Sequence, residues 1–160
     1  MTVRAATGDD VAAITEFWVA LAAEQREHGS HLFAEENRGQ AKDLIRQYVH
    51  ADGCAVATRG DATVGFVMFH VETGMYDTDA TRGFVDNVYV APGARGEGVG
   101  SALLDHAEAE LRDRGADALA VEALWDNEHA RRLYERRGYA PHRITLEKRV
   151  ESDTHTKDHT

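Results

Sequence analysis

Apolar residues recur along this chain at two spacings, and the changes between them mark out the elements. Val3 to Ala6 reads as a short first strand. Thr7-Gly8-Asp9-Asp10 resembles a capping box, with Thr7 as the N-cap and Asp10 three residues on. Behind it Val11, Ile14, Trp18 and Leu21 follow at the period of a helix face. A second helix is predicted from Gln40 to His50, with Leu44, Ile45 and Tyr48 inward. The period then drops. Cys54 to Thr58 and Val64 to Val71 read as strands joined by Arg59-Gly60-Asp61, a hairpin. Phe84 to Val90 is a further strand, stopped by Pro92-Gly93. From Gly98 to Arg114, Val99, Leu103, Ala107 and Leu111 stand four apart on one helix face, and Gly115 is placed to end it. Ala118 to Leu124 is predicted as a strand, Glu128 to Arg137 as a helix stopped by Gly138, and Tyr139 to Lys148 as a last strand.

The resulting order is β-α-α-β-β-β-α-β-α-β, an α/β chain with a mixed sheet. Hairpins require antiparallel pairing. The strand–helix–strand run from Phe84 to Leu124 requires a parallel pair with a right-handed crossover. The polar, aperiodic stretches Glu27 to Gly39 and Gly74 to Arg82 are connections. No repeat or linker divides the chain, so residues 1–149 form one domain and the polar residues 150–160 a disordered tail.

Charge narrows the function classes. The formal net charge of −10 disfavours nucleic acid as a partner, because phosphates are repelled. Of the 18 basic residues 15 are Arg, and Lys42, Lys148 and Lys157 are the 3 lysines. Such an acidic, lysine-poor composition fits a high-salt cytoplasm, although a GC-rich genome favours Arg over Lys as well. The 1 cysteine, Cys54, cannot form an internal disulfide and reads as a small buried residue. No apolar run is long enough to span a membrane, and Met1 to Thr7 lacks the stretch of a signal peptide. A cytoplasmic protein without a membrane partner is expected, as monomer or homodimer.

The turn into the long helix reads Arg95-Gly96-Glu97-Gly98-Val99-Gly100-Ser101. Glycines let the backbone turn tightly and admit a ligand close to the chain. The first N–H groups of a helix lack internal partners and sit at the positive end of its dipole, which suits phosphate. Arg95 adds a cation, so this loop is a seat for a diphosphate. A dinucleotide fingerprint needs glycine where Ser101 stands, and a P-loop needs Gly-Lys-Ser/Thr, which is absent.

A second block runs from Val121 to Tyr139. With the first, it resembles the GNAT superfamily of acyl-CoA-dependent N-acetyltransferases. There a strand leads into Arg/Gln-x-x-Gly-x-Gly/Ala, matched by Arg95, Gly98 and Gly100. A later Asn-x-x-Ala-x-x-x-Tyr-x-x-x-Gly-Phe is matched by Asn127, Ala130, Tyr134 and Gly138, with Tyr139 in place of Phe. The resemblance implies a GNAT-like fold whose parallel strands splay around acetyl-CoA. It implies that the pantetheine arm meets backbone near Val88, Tyr89 and Val90, that the diphosphate meets the amides of Gly96, Glu97, Gly98, Val99, Gly100 and Ser101, and that Asn127, Ala130 and Tyr134 approach from the other side. Glu97 departs from the family by putting a negative side chain in the phosphate loop.

Amine acetylation needs a base to free the nitrogen lone pair, donors for the carbonyl oxygen and an acid for the thiolate. Tyr134 matches the family's tyrosine and is the expected acid. Glu122 is the first choice of base: strand alternation groups it with Ala120 and Leu124 beside the expected thioester, where burial would raise its pKa. A glutamate occupies this place in relatives resembling the ribosomal-protein alanine N-acetyltransferases. Asp86 on the other splayed strand is the rival base, and a water relay is a third route. Trp18, His28, His31 and Phe33 are candidates for the acceptor side, and no metal motif is present. The expected acceptor is a protein N-terminus or a small cationic amine. A catalytically weak acetyl-CoA sensor is the alternative, and a nicotinamide-dependent enzyme a remote third.

Overall fold

Strands β1 (Thr2–Ala5), β2 (Cys54–Arg59), β3 (Ala62–Val71), β4 (Arg82–Val90) and β5 (Ala118–Val121) lie side by side in chain order in the computed structural model, which describes residues 1–150. The polar tail expected from residue 150 lies, from residue 151 on, outside the described residues. β1 to β4 pair antiparallel, and β4 and β5 pair parallel. The mixed sheet follows from the two connection types read in the sequence.

Helices α1 (Val11–Glu27) and α2 (Arg38–His50) cover one face, and α3 (Val99–Asp113) and α4 (Glu128–Arg136) the other. Strand alternation divides the core accordingly. Val56, Phe66, Met68 and Tyr89 meet Ile14, Trp18 and Ile45 of α1 and α2. Ala57, Val67, Phe69 and Val85 meet Val99, Leu103, Ala107 and Leu111 of α3. Two cores thus share one sheet, each built from every second residue of the central strands.

The entry to α1 is fixed as its sequence suggests. The Thr7 N–H donates to Asp10 Oδ2 at 2.8 Å, and Arg4 holds both oxygens of the same carboxylate at 2.8 and 3.0 Å. These bonds, that to Arg4 foremost, hold the nearly buried Asp10 carboxyl below the usual carboxylate range. At the C-terminal end of α3, Gly115 at φ +96° lets the chain turn back toward β5. The Ala116 N–H reaches Leu111 O at 3.0 Å and the Gly115 N–H reaches Arg112 O at 3.0 Å.

The expected last strand is a correction. Residues 139–150 carry no strand, so the observed order stops at α4. Ile144 and Leu146 alternate with polar residues but are 62% and 90% exposed. Alternation says which side of a strand would be buried; a neighbour must supply the hydrogen bonds, and Pro141 removes one donor at the outset. β5 is also shorter than predicted, ending at Val121 rather than Leu124.

Candidate active site

Pairing between β4 and β5 runs from Arg82–Ala118 to Val85–Val121 and stops there, whereas β4 continues to Val90. From Asp86 to Val90 the β5 side of β4 is therefore an open edge. Asp86 marks the parting point. Met68 pairs with Asn87 but Phe69 with Val85, so Asp86 is the extra residue of a bulge. As a residue Asp86 is exposed, although its side chain is only 23% exposed, so much of that exposure lies on its main chain.

The same end of the sheet receives the N-terminus of α3. Gly96 and Gly98 have φ of +79° and +82°, and Gly98 is the N-cap. A Cβ on either would meet nothing within 4 Å, so both face open space and are glycines for their backbone angles. Among the described residues, no main-chain or side-chain acceptor takes the N–H groups of Gly96 through Ser101; the first return bond of the helix is Ala102 N–H to Gly98 O at 3.1 Å. A run of unpaired amides at a dipole's positive end, next to an open strand edge, fits an elongated ligand with a phosphate end.

The charged residues of this loop are already engaged. Arg95 donates from Nε to Val90 O at 2.8 Å and pairs with Glu24 of α1 at 2.8 Å, its guanidinium 5.3 Å from the centre of the Tyr89 ring. It braces the loop against β4 and α1. Glu97, the family departure, pairs with Arg59 at the end of β2 at 2.8 Å, which offsets its charge beside the amides.

α4 packs against the α3-side core through Leu133 and Tyr134. Asn127 caps it, its Oδ1 accepting from the Ala130 N–H at 3.1 Å. Tyr134 packs against the α3-side core, and burial pushes its phenol pKa up. Tyr139, the substitute for Phe, has a partner: its hydroxyl donates to Glu108 Oε2 of α3 at 2.8 Å, while Arg137 meets Glu108 Oε1 at 3.2 Å. This nearly buried carboxylate pins the end of α4 to α3.

The candidate bases stand differently from one another. Glu122 lies one residue beyond β5 and is exposed, with no partner among the described residues, so the expected apolar strand environment is not there. Continuing the β4–β5 register one step sets it opposite Asp86 across the opening. Asp86 is surrounded by groups the sequence reading passed over. Its Oδ2 lies 2.6 Å from His70 Nδ1 on β3 and accepts from the Tyr48 hydroxyl of α2 at 2.9 Å. The signal in the sequence was a histidine closing the apolar face of Phe66 and Met68.

The acceptor-side candidates scatter. Trp18 is 9% exposed and belongs to the α1 core, so it lines no surface. His28, at the end of α1, lies 3.2 Å from Asp126 and lines a cavity of about 420 Å³ with Trp125, Asn127, Glu128, His129 and Arg131. His31 pairs with Glu147 at 2.9 Å, and Phe33 stacks beneath Arg26 at 4.7 Å. No helix among the described residues is long and apolar enough to cross a membrane.

Comparison with known proteins bears on the same residues. The family model of the acetyltransferase (GNAT) family matches residues 18–139, which hold both motifs and the strands that part between them. The chain is 31% identical over 101 residues to an aminoalkylphosphonate N-acetyltransferase of Salmonella typhimurium, covering 63% of each. It is 43% identical over 63 residues to a mycothiol acetyltransferase of Beutenbergia cavernae, which covers 39% of this chain and 21% of that relative. The chain thus spans less than two thirds of the length of either. A GCN5-related N-acetyltransferase of Ralstonia eutropha has the same fold, with a TM-score of 0.74, 24% identity and coverage of 93% of this chain and 97% of that one. With the splayed β4–β5 pair, the glycine-capped α3 and the matched motifs on one scaffold, this chain belongs to the acetyltransferase (GNAT) family.

Proposed function

We propose that this chain transfers the acetyl group of acetyl-CoA to the primary amine of a small cationic acceptor. The carrying observation is the unpaired run of amides from Gly96 to Ser101, set beside the open edge of β4. Those amides hold the diphosphate of the acyl donor, and the main chain from Asp86 to Val90 orients its arm. The donor supplies the activated thioester; the protein supplies position and protons. Burial keeps Tyr134 protonated at neutral pH, so its hydroxyl can give a proton to the departing thiolate. Two features support a positively charged amine, the net charge of −10 and the Asp126 and Glu128 carboxylates at the cavity by α1, and the aminoalkylphosphonate named for one relative supports a small amine.

The test is calorimetric titration with coenzyme A, followed by thiol release from acetyl-CoA with spermidine, kanamycin, 2-aminoethylphosphonate and a peptide with an N-terminal alanine. Heat of binding and turnover with spermidine or kanamycin supports the reading, and turnover confined to 2-aminoethylphosphonate keeps a small amine acceptor but removes its positive charge. Turnover with the peptide alone moves the acceptor to protein N-termini. Binding without turnover favours a sensor, and absence of binding removes the proposal.

A further inference from the structure

We infer that His70 Nε2 is the general base that deprotonates the acceptor ammonium, and that Asp86 positions it; this rests on the acetyltransferase reading above. Three observations meet here. The first is orientation. His70 Nδ1 lies 2.6 Å from Asp86 Oδ2. A carboxylate can only accept, so the shared proton sits on Nδ1, and the lone pair of the neutral ring sits on Nε2. Among the described residues Nε2 has no partner.

The second is support. Tyr48 donates to the same Oδ2 at 2.9 Å, and the Phe84 ring stacks on the imidazole at 5.5 Å and 11°. The ring is thus held by a carboxylate at its edge, an aromatic plane at its face and a tyrosine behind the carboxylate. Its side chain stays 43% exposed, so an acceptor can approach it. A carboxylate that fixes the tautomer of a histidine and steadies the imidazolium is the positioning device of hydrolase triads, assembled here on strands.

The third is placement. Asp86 is the bulge residue at the point where β4 loses its β5 partner. His70 pairs with Phe84 two residues earlier on β4, on the α1–α2 face. Titratable or charged groups near the ring are Tyr48 from α2 and Asp86 from β4. Arg82 sits over the Phe84 ring at 4.9 Å, paired with Glu72, and Glu122 lies across the opening. Among the described residues Glu122 has no group to orient it, whereas Asp86 spends its Oδ2 on His70 and Tyr48.

The proton account closes. Nε2 takes one proton from the acceptor R–NH3+, giving R–NH2 and an imidazolium paired with Asp86. The nitrogen lone pair forms the N–C bond to the acetyl carbonyl, and the C–S bond breaks. Tyr134 gives its proton to the thiolate and regains one from the new amide nitrogen. The imidazolium releases its proton to water, so one proton leaves per turnover.

Two measurements decide this. In the 15N spectrum of the free protein at high pH, the His70 signals, assigned by their loss in His70→Gln, should show the Nδ1–H tautomer, and Asp86→Asn should shift them toward Nε2–H. An Nε2–H tautomer in the unmodified protein overturns the inference without any assay. In the thiol-release assay with the best of the four amines, His70→Gln should lower kcat about 100-fold, keep coenzyme A affinity and erase the acidic limb of kcat/KM. Imidazole added to His70→Ala should restore part of the rate. Glu122→Gln should keep that limb. A limb that persists in His70→Gln and vanishes in Glu122→Gln hands the role to Glu122 and leaves the acetyltransferase reading intact. If the unmodified protein turns over none of the amines, that reading fails, and the tautomer alone decides the orientation claimed here.

Discussion

Tyr134 meets no hydrogen-bond partner among the described residues, and its environment is apolar. Replacing it with Phe removes one oxygen and little packing. Tyr134→Phe is expected to lower kcat about 100-fold and leave coenzyme A affinity unchanged, checked by steady-state kinetics beside calorimetry. Equal turnover would remove Tyr134 from the proton path. Cys54 is the opposite case. It is 2% exposed, and burial, helped by the nearby Asp10 charge, pushes its thiol up to about 12. The thiolate is the reactive form, so a disulfide reagent should label Cys54 in urea but not in the native protein at neutral pH. Rapid native labelling would contradict its place in the core.

At the scale of elements, α3 and α4 each carry one decisive contact. The α3 N-terminus depends on Gly98, whose φ of +82° disfavours most side chains. Gly98→Glu should reduce coenzyme A affinity by about 100-fold or more, since it sets a carboxylate among the amides. Gly98→Asn, which tolerates this backbone, should keep most of the binding, and titration of both variants separates charge from strain. α4 is only partly buried, through Leu133 and Tyr134, so its end relies on the Glu108 contacts. Tyr139→Phe leaves Glu108 without its hydroxyl donor and should cost about 1–2 kcal/mol in urea unfolding. No change in the midpoint would show that Arg137 alone satisfies the carboxylate.

Over the whole molecule, like charges accumulate. A net charge of −10 on 160 residues repels itself in the folded state, although many arginines form exposed pairs of small individual worth. Salt screens both, but the net repulsion extends further than any single pair. Melting temperature should therefore rise between about 0.1 M and about 1 M sodium chloride, by a few degrees for each kcal/mol gained. A fall with salt would mean that the exposed pairs outweigh the repulsion and would argue against a salt-adapted surface.

What the amino-acid order determined by itself was local and periodic. The α1 capping box, the hairpin at Gly60, the glycine stop of α3 and the parallel crossover from β4 to β5 each follow from residues near one another, and the structure has them. The glycine-capped start of α3 was legible for the same reason, since a helix start and its glycines are contiguous. Tertiary structure decided the rest. Residues 139–150 have a strand's alternation but, among the described residues, no strand pairs with them, and so they form no strand. Trp18 fell into the core because α1 turned that face to the sheet. His70, Tyr48 and Asp86 come from three elements and meet only when α2 packs over a bulge in β4. Spacing along a chain encodes faces and turns; it holds no record of which distant faces will touch.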